Sequence, residues 1–223
     1  LVLLTHALAA FPGIRTTQLN ASDLLRICMI FYCIYNYNDI SSPATDMMPM
    51  LILMYIFAEW TGLCMTGEKT EAPFILLCLL GVYDLTVKLS AAMVVLLIAY
   101  PLYLIIRKRS WKQLLYAFLA VLAIVMPFLA RNVMTSGYLL YPYASADIFN
   151  VDWKAPADTV ISEAKMIKLY GRSLDKVDCR ELPFRQWVQV WFEYLPFIFR
   201  VMLAVFGLSL IPAAVYIFKS IRK

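Results

Sequence analysis

Long apolar runs alternate with short polar interruptions along this chain. The runs are continuous, not spaced at every third or fourth position as on a helix half exposed to water. Such runs predict membrane spans. Residues 47–66, 89–106, 113–130 and 195–218 each come near the roughly 20 residues a helix needs to cross a hydrocarbon core of about 30 Å. Two shorter runs, 24–38 and 73–87, each carry a charge, Arg26 and Asp84, and are predicted as tilted, partly buried or incomplete spans. A single helix over 73–106 would be about 50 Å long and would overshoot the bilayer, so two passes are predicted there.

The polar segment 131–193 breaks this pattern. Within it, 156–171 predicts a helix with Ile161, Met166, Ile167 and Tyr170 near one side, and 183–193 a second helix with Trp187 and Trp191 one turn apart. Paired tryptophans just before a span sit at headgroup level, where a ring is half apolar and half wet; a sugar-stacking platform is the alternative. The predicted fold is all-α: a polytopic transmembrane helical bundle with one exported helical loop. Its parts are transmembrane helices over 1–130, the first of them truncated, the loop over 131–193, and a final span with a basic tail over 194–223.

Composition agrees, since 62% hydrophobic residues exceed the roughly half found in soluble domains. The opening LVLLTHALAAFPG has no basic leader or cleavage site and is read as a fragment that starts inside a span. The net charge of +5 does not point to nucleic acid, because many of the basic residues cluster beside spans, where they set orientation. Arg107, Lys108, Arg109, Lys112, Lys219, Arg222 and Lys223 assign the loops 67–72 and 107–112 and the tail to the cytoplasmic face. The opposite face then holds 41–46, the turn around Lys88 and the whole of 131–193.

Cys28, Cys33, Cys64 and Cys78 fall in apolar runs and leave Cys179 alone in the polar segment, so no structural disulfide is expected. His6 is the only histidine, and no Cys, His or carboxylate group shows metal-ligand spacing, so no tightly held structural zinc is expected. No glycine-rich phosphate loop follows a strand pattern, which disfavours soluble nucleotide enzymes.

An ionisable group at membrane depth costs at least about 2.5 to 3.5 kcal/mol and calls for a partner or a task. Asp46, in SSPATDMMP, enters a span either as a helix start with Pro49 in the first turn or as an outer carboxylate able to bind a cation, hold a sugar hydroxyl or act as a base. Asp84 and Lys88 are one turn apart in GVYDLTVKLS and are expected to pair, unless Lys88 reaches a lipid phosphate instead. Glu59 and Arg26, on neighbouring spans, are expected to pair as structural residues. Arg131, just beyond VMPFLA, either snorkels to headgroups or grips a phosphate bidentately with help from Asn132. Tyr138, Tyr141 and Tyr143 offer hydroxyls and stacking faces.

Three stretches, SSPATDMMPMLILMYIF, LLGVYDLTVKLSAAMVVLLIAYPLYLIIRKR and PFLARNVMTSGYLLYP, stand in an order that resembles the middle of bacterial class C glycosyltransferases. The likeness is to relatives of protein mannosyltransferases and of lipid A aminoarabinose transferases. With FNVDW downstream, the third stretch is similar to an uncharacterised glycosyltransferase-like branch of large bacterial membrane proteins. The likeness as a whole covers roughly residues 40–153. The resemblance implies sugar transfer from a polyprenyl-phosphate donor to a glycan or lipid acceptor on the outer side of a bacterial inner membrane.

Carried over by position, Asp46 matches the family's second outer acid, at the acceptor or metal site, which leaves room for a divalent cation. Lys88 and Arg131 match basic positions near the donor phosphate. The family's main acid would lie upstream of Leu1. This chain departs from the pattern at Asp84, where relatives are apolar or small, and at Leu139, where many carry Pro. Two rival functions remain: a transporter or lipid flippase, which requires broken helices and charges at the midplane, and a non-catalytic membrane assembly subunit.

Overall fold

The computed structural model describes residues 5–6, 8, 20–37, 47–173, 177–179, 181–197, 199–200 and 203–204. Every regular element among them is a helix, and the chain folds as two units, Leu1–Arg131 and Asn132–Lys223.

In the first unit, α1 (Ala21–Tyr35) begins at a capping box: the Asn20 side chain accepts from the Asp23 backbone N–H at 2.8 Å while the Asp23 carboxylate accepts from the Asn20 N–H. It starts three residues before the predicted run, because NASD is a polar start signal that hydropathy does not register. The helix packs on α2 (Met47–Thr66) through buried Met29, Cys33 and Leu51. Ser22 donates to the Ala58 carbonyl at 2.8 Å and sits 3.4 Å from where a Cβ on Gly62 would stand, so the two helices meet closely at that end.

α3 (Ala72–Val87) has Pro73 in its first turn, where a missing N–H costs nothing. Lys88 then adopts an extended conformation (φ −146°, ψ 118°), and the next pass starts as a 3₁₀ helix over Leu89–Ile98 before continuing as α4 (Ala99–Lys108). Gly81 permits the return: a Cβ there would lie 2.9 Å from Val94 Cγ1. Ile52, Ile56, Leu77 and Val94 form the buried cluster that joins α2, α3 and the 3₁₀ segment. The two passes predicted over 73–106 are therefore an antiparallel pair.

Arg109, left-handed at φ 53°, turns the chain into α5 (Trp111–Ser136). No residue in the apolar window of α5 is fully buried, which leaves much of that surface to lipid. The helices Met47–Thr66, Leu89–Lys108 and Trp111–Ser136 are long and apolar enough to cross a membrane, and Ala72–Val87 is a shorter apolar helix. The protein is a multi-pass, all-helical membrane protein. The predicted span 195–218 lies mostly outside the described residues.

α5 runs six residues past the predicted end at Ala130, so Arg131 and Asn132 are helical and do not start a loop. Hydropathy stops at Ala130, but helical hydrogen bonding continues until Gly137, at φ 78°, ends it.

The second unit holds the end of α5, a loop with a 3₁₀ turn at Ala144–Ala146, α6 (Ala157–Ser173) and α7 (Phe184–Tyr194). These two helices fall within a residue or two of those predicted over 156–171 and 183–193. Tyr138, Val160, Leu169 and Cys179 are its buried hydrophobics among the described residues.

Candidate functional site

At one end of the first unit, the Lys108 ammonium donates to the Glu71 carboxylate and to the Lys69 carbonyl, the latter at 2.8 Å. One ion pair thus binds the loop before α3 to the turn after α4. The Lys108 contact holds the Glu71 carboxyl below the usual carboxylate value, with the backbone N–H of Glu71 itself and Ser110 assisting.

The opposite end carries Lys88. It closes α3 by donating its backbone N–H to the Asp84 carbonyl at 2.9 Å. Because Lys88 is extended, its side chain leaves the helical track on which an i, i+4 pair with Asp84 depends, and the expected ion pair is not formed. Asp84 is fully buried, and neither carboxylate oxygen has a hydrogen-bond partner among the described residues.

Arg131 lies near the end of α5, with its guanidinium 5.9 Å from the centre of the Phe128 ring. Lys88 and Arg131 stand equal numbers of residues before Lys108 and after Trp111, the two sides of the Arg109 turn. Between α3, α4 and α5 runs a wholly apolar groove of about 80 Å³, lined among others by Cys78, Val82, Leu102, Ile105 and Val121.

In the second unit, Asn132 is buried, and its side-chain amide donates to the Leu139 carbonyl at 3.2 Å. Its own carbonyl accepts from Ser136 Oγ at 2.7 Å, and Ser136 Oγ accepts from the Tyr138 N–H at 3.2 Å. Asn132 therefore shapes the loop that carries the tyrosines. Tyr138 is buried under Lys154, with its hydroxyl donating to the Ala155 carbonyl at 3.3 Å. Lys154 also pairs with Asp147. Tyr141 is half-buried; burial pushes its phenol up, and the Glu163 carboxylate on α6 adds to the effect. Tyr143 is exposed.

Asp46 lies outside the described residues. Among the described residues, no group of three or more His, Cys, Asp or Glu side chains converges as a metal site would. Each of the five cysteines is a free thiol.

Some polar residues carry more of the fold than their sequence context suggested. Arg26 donates to Glu59 at 2.7 Å as expected, but it also meets Asp23 at 3.0 Å and His6 at 3.3 Å. Asp23 was detectable from the capping-box spacing. His6 was not, because its role depends on a contact 20 residues away in sequence. In the second unit, the Arg172 guanidinium covers the Trp187 ring at 4.9 Å and donates to the Cys179 carbonyl at 2.9 Å.

No curated protein and no solved structure matches the chain. The model of the family described as Domain of unknown function (DUF8201) matches residues 1–223, and the chain belongs to that family.

Proposed function

We propose that this chain is part of a membrane glycosyltransferase that moves a sugar from a polyprenyl-phosphate donor to an extracytoplasmic acceptor in the bacterial inner membrane. What supports this reading is the equal spacing of Lys88 and Arg131 from the two sides of the Arg109 turn, on passes whose helices line one apolar groove. A polyprenyl phosphate is a long apolar chain with one anionic group at its end. Two cations on passes that line an apolar groove match that chemistry.

In this reading a carboxylate takes the proton from the acceptor hydroxyl, and the resulting oxygen attacks the anomeric carbon of the donor sugar. The bond from that carbon to the phosphate oxygen breaks, and polyprenyl phosphate leaves with the bonding pair. Lys88 and Arg131 offset the charge growing on the departing phosphate. Asp46 orients or deprotonates the acceptor, and in the second unit Asn132 holds the loop that carries the candidate sugar-binding Tyr141. Residues 131–193 would then face the extracytoplasmic side.

The test is glycan transfer by the full-length protein in proteoliposomes supplied with a polyprenyl-phosphate hexose. Lys88→Ala and Arg131→Ala should each lower turnover by about 10²- to 10³-fold, with the exposed α6 variant Lys165→Ala as a control. Unchanged turnover in both variants would remove the assignment.

A transporter or flippase is the second reading. A change from 3₁₀ to α inside one pass and the buried Asp84 support it. In the same vesicles it would move the lipid-linked sugar across the bilayer without breaking the sugar–phosphate bond.

A further inference from the structure

The described acids of the first unit divide into two groups. Asp23 and Glu59 meet Arg26, Glu71 meets Lys108, and Glu68 accepts from the Lys69 and Thr70 N–H groups in an exposed loop. Asp84 differs from them all, being completely buried with no hydrogen-bond partner on either oxygen among the described residues.

Its position sharpens the contrast. Asp84 follows Gly81 by three residues and Leu77 by seven, so it lies on the α3 face that receives Val94 and the Ile52–Ile56 cluster. The elements against that face bring little charge. α2 contributes Tyr55, Cys64 and Glu59, the last already held by Arg26 and His6. No residue of the 3₁₀ segment can titrate or carry charge. α4 contributes Tyr100, Tyr103, Arg107 and Lys108, the last held by Glu71. On α3 itself stand Cys78 and Tyr83, and Lys88 follows without pairing to Asp84.

An ionised carboxylate in such a place is unstable by several kcal/mol, and a proton or a bound cation can relieve it. One carboxylate without companion ligands cannot strip a metal ion of its water, and among the described residues no group of three or more acids, thiols or imidazoles converges here. A proton needs no other ligand.

We infer that Asp84 is an intramembrane proton-binding site, neutral while α3 and the 3₁₀ segment are closed over it and able to lose its proton only when they separate. On opening, the carboxyl O–H bond breaks and the proton passes to water, leaving an aspartate anion; no electron transfer is involved. The ten-residue 3₁₀ segment is the element suited to move, because its hydrogen-bond geometry is poorer than that of an α-helix and runs beyond three or four residues are uncommon.

A lipophilic carbodiimide tests this on the full-length protein in membranes. Dicyclohexylcarbodiimide adds across a protonated carboxyl O–H in an apolar environment and leaves a mass-tagged adduct. The expected result is an adduct at Asp84 whose yield falls as pH rises, and its complete loss in Asp84→Asn. That variant, which imitates the neutral acid, should match the wild-type Tm. Absence of the adduct at acidic pH, or labelling of Asp84 only by a water-soluble carbodiimide with an amine, would overturn the inference. So would a large loss of Tm in Asp84→Asn, since it would reveal a partner for the charged form.

Discussion

Arg26 Nη2 donates to Glu59 Oε1 at 2.7 Å, and this bond ties α1 to α2 across 33 residues of sequence. Both side chains are less than a third exposed, so solvent screens the pair only partly. Glu59→Ala should cost about 1.5 to 3 kcal/mol, the usual value of a hydrogen bond to a charged group. A double-mutant cycle with Arg26→Leu, read by thermal unfolding in detergent, should recover a coupling of at least about 0.5 kcal/mol. Additive losses would show that Arg26 draws its support from Asp23 and His6 alone.

Close packing of α3 against the 3₁₀ segment is tested at Gly81. A Cβ there meets Val94 Cγ1 at 2.9 Å, so Gly81→Ala should destabilise the protein by roughly 1 to 3 kcal/mol through overpacking. Val94→Ala in the same chain should recover part of the loss. Wild-type stability in Gly81→Ala would mean that the two elements are farther apart.

Gly137 makes a stricter demand. Its φ is +78°, and an added Cβ would sit 2.9 Å from the Lys154 Cα, a backbone atom that cannot rotate aside. Gly137→Ala should therefore lose more than about 1 kcal/mol. Greater protease sensitivity around 138–154, with cleavage around 67–72 unchanged, is the expected readout.

The Glu71–Lys108 pair should appear as an acid limb in the stability curve. Lys108 holds the Glu71 carboxyl below its ordinary value of 4.5, so the folded state binds that proton less readily than the unfolded state. The stabilisation is fully present above the ordinary value and is lost as pH falls through the lower folded value. Glu71→Gln should flatten the acid side of a Tm-against-pH plot. An identical acid limb in wild type and variant would exclude this contribution.

Much of the helical framework was legible because lipid imposes a simple rule on sequence. α2 occupies the predicted 47–66, and the pairing of Arg26 with Glu59 followed from the need of each buried charge for a partner. Asp84 and Lys88 went differently, because the four-residue rule holds only on a continuous helix and Lys88 is extended. The 3₁₀ stretch was hidden, since LSAAMVVLLI is equally apolar in either helix type. The end of α5 was misplaced for a related reason: hydropathy reports the lipid boundary, whereas Gly137 marks the helix boundary. Of the candidate site, the turn at Lys88 was legible from the span ends, while the helical setting of Arg131 and the commitment of Asn132 to Leu139 needed the folded chain.

The functional account depends on which rim of the bilayer each basic residue occupies. Single cysteines at 88, 131 and 108, in a full-length protein lacking its native cysteines, can be probed with a membrane-impermeant maleimide in right-side-out and inverted vesicles. Positions 88 and 131 should react from the outer side and position 108 only from the inner side. Reaction of 88 and 131 from opposite sides would contradict the account, because two cations that never share a rim cannot hold one phosphate.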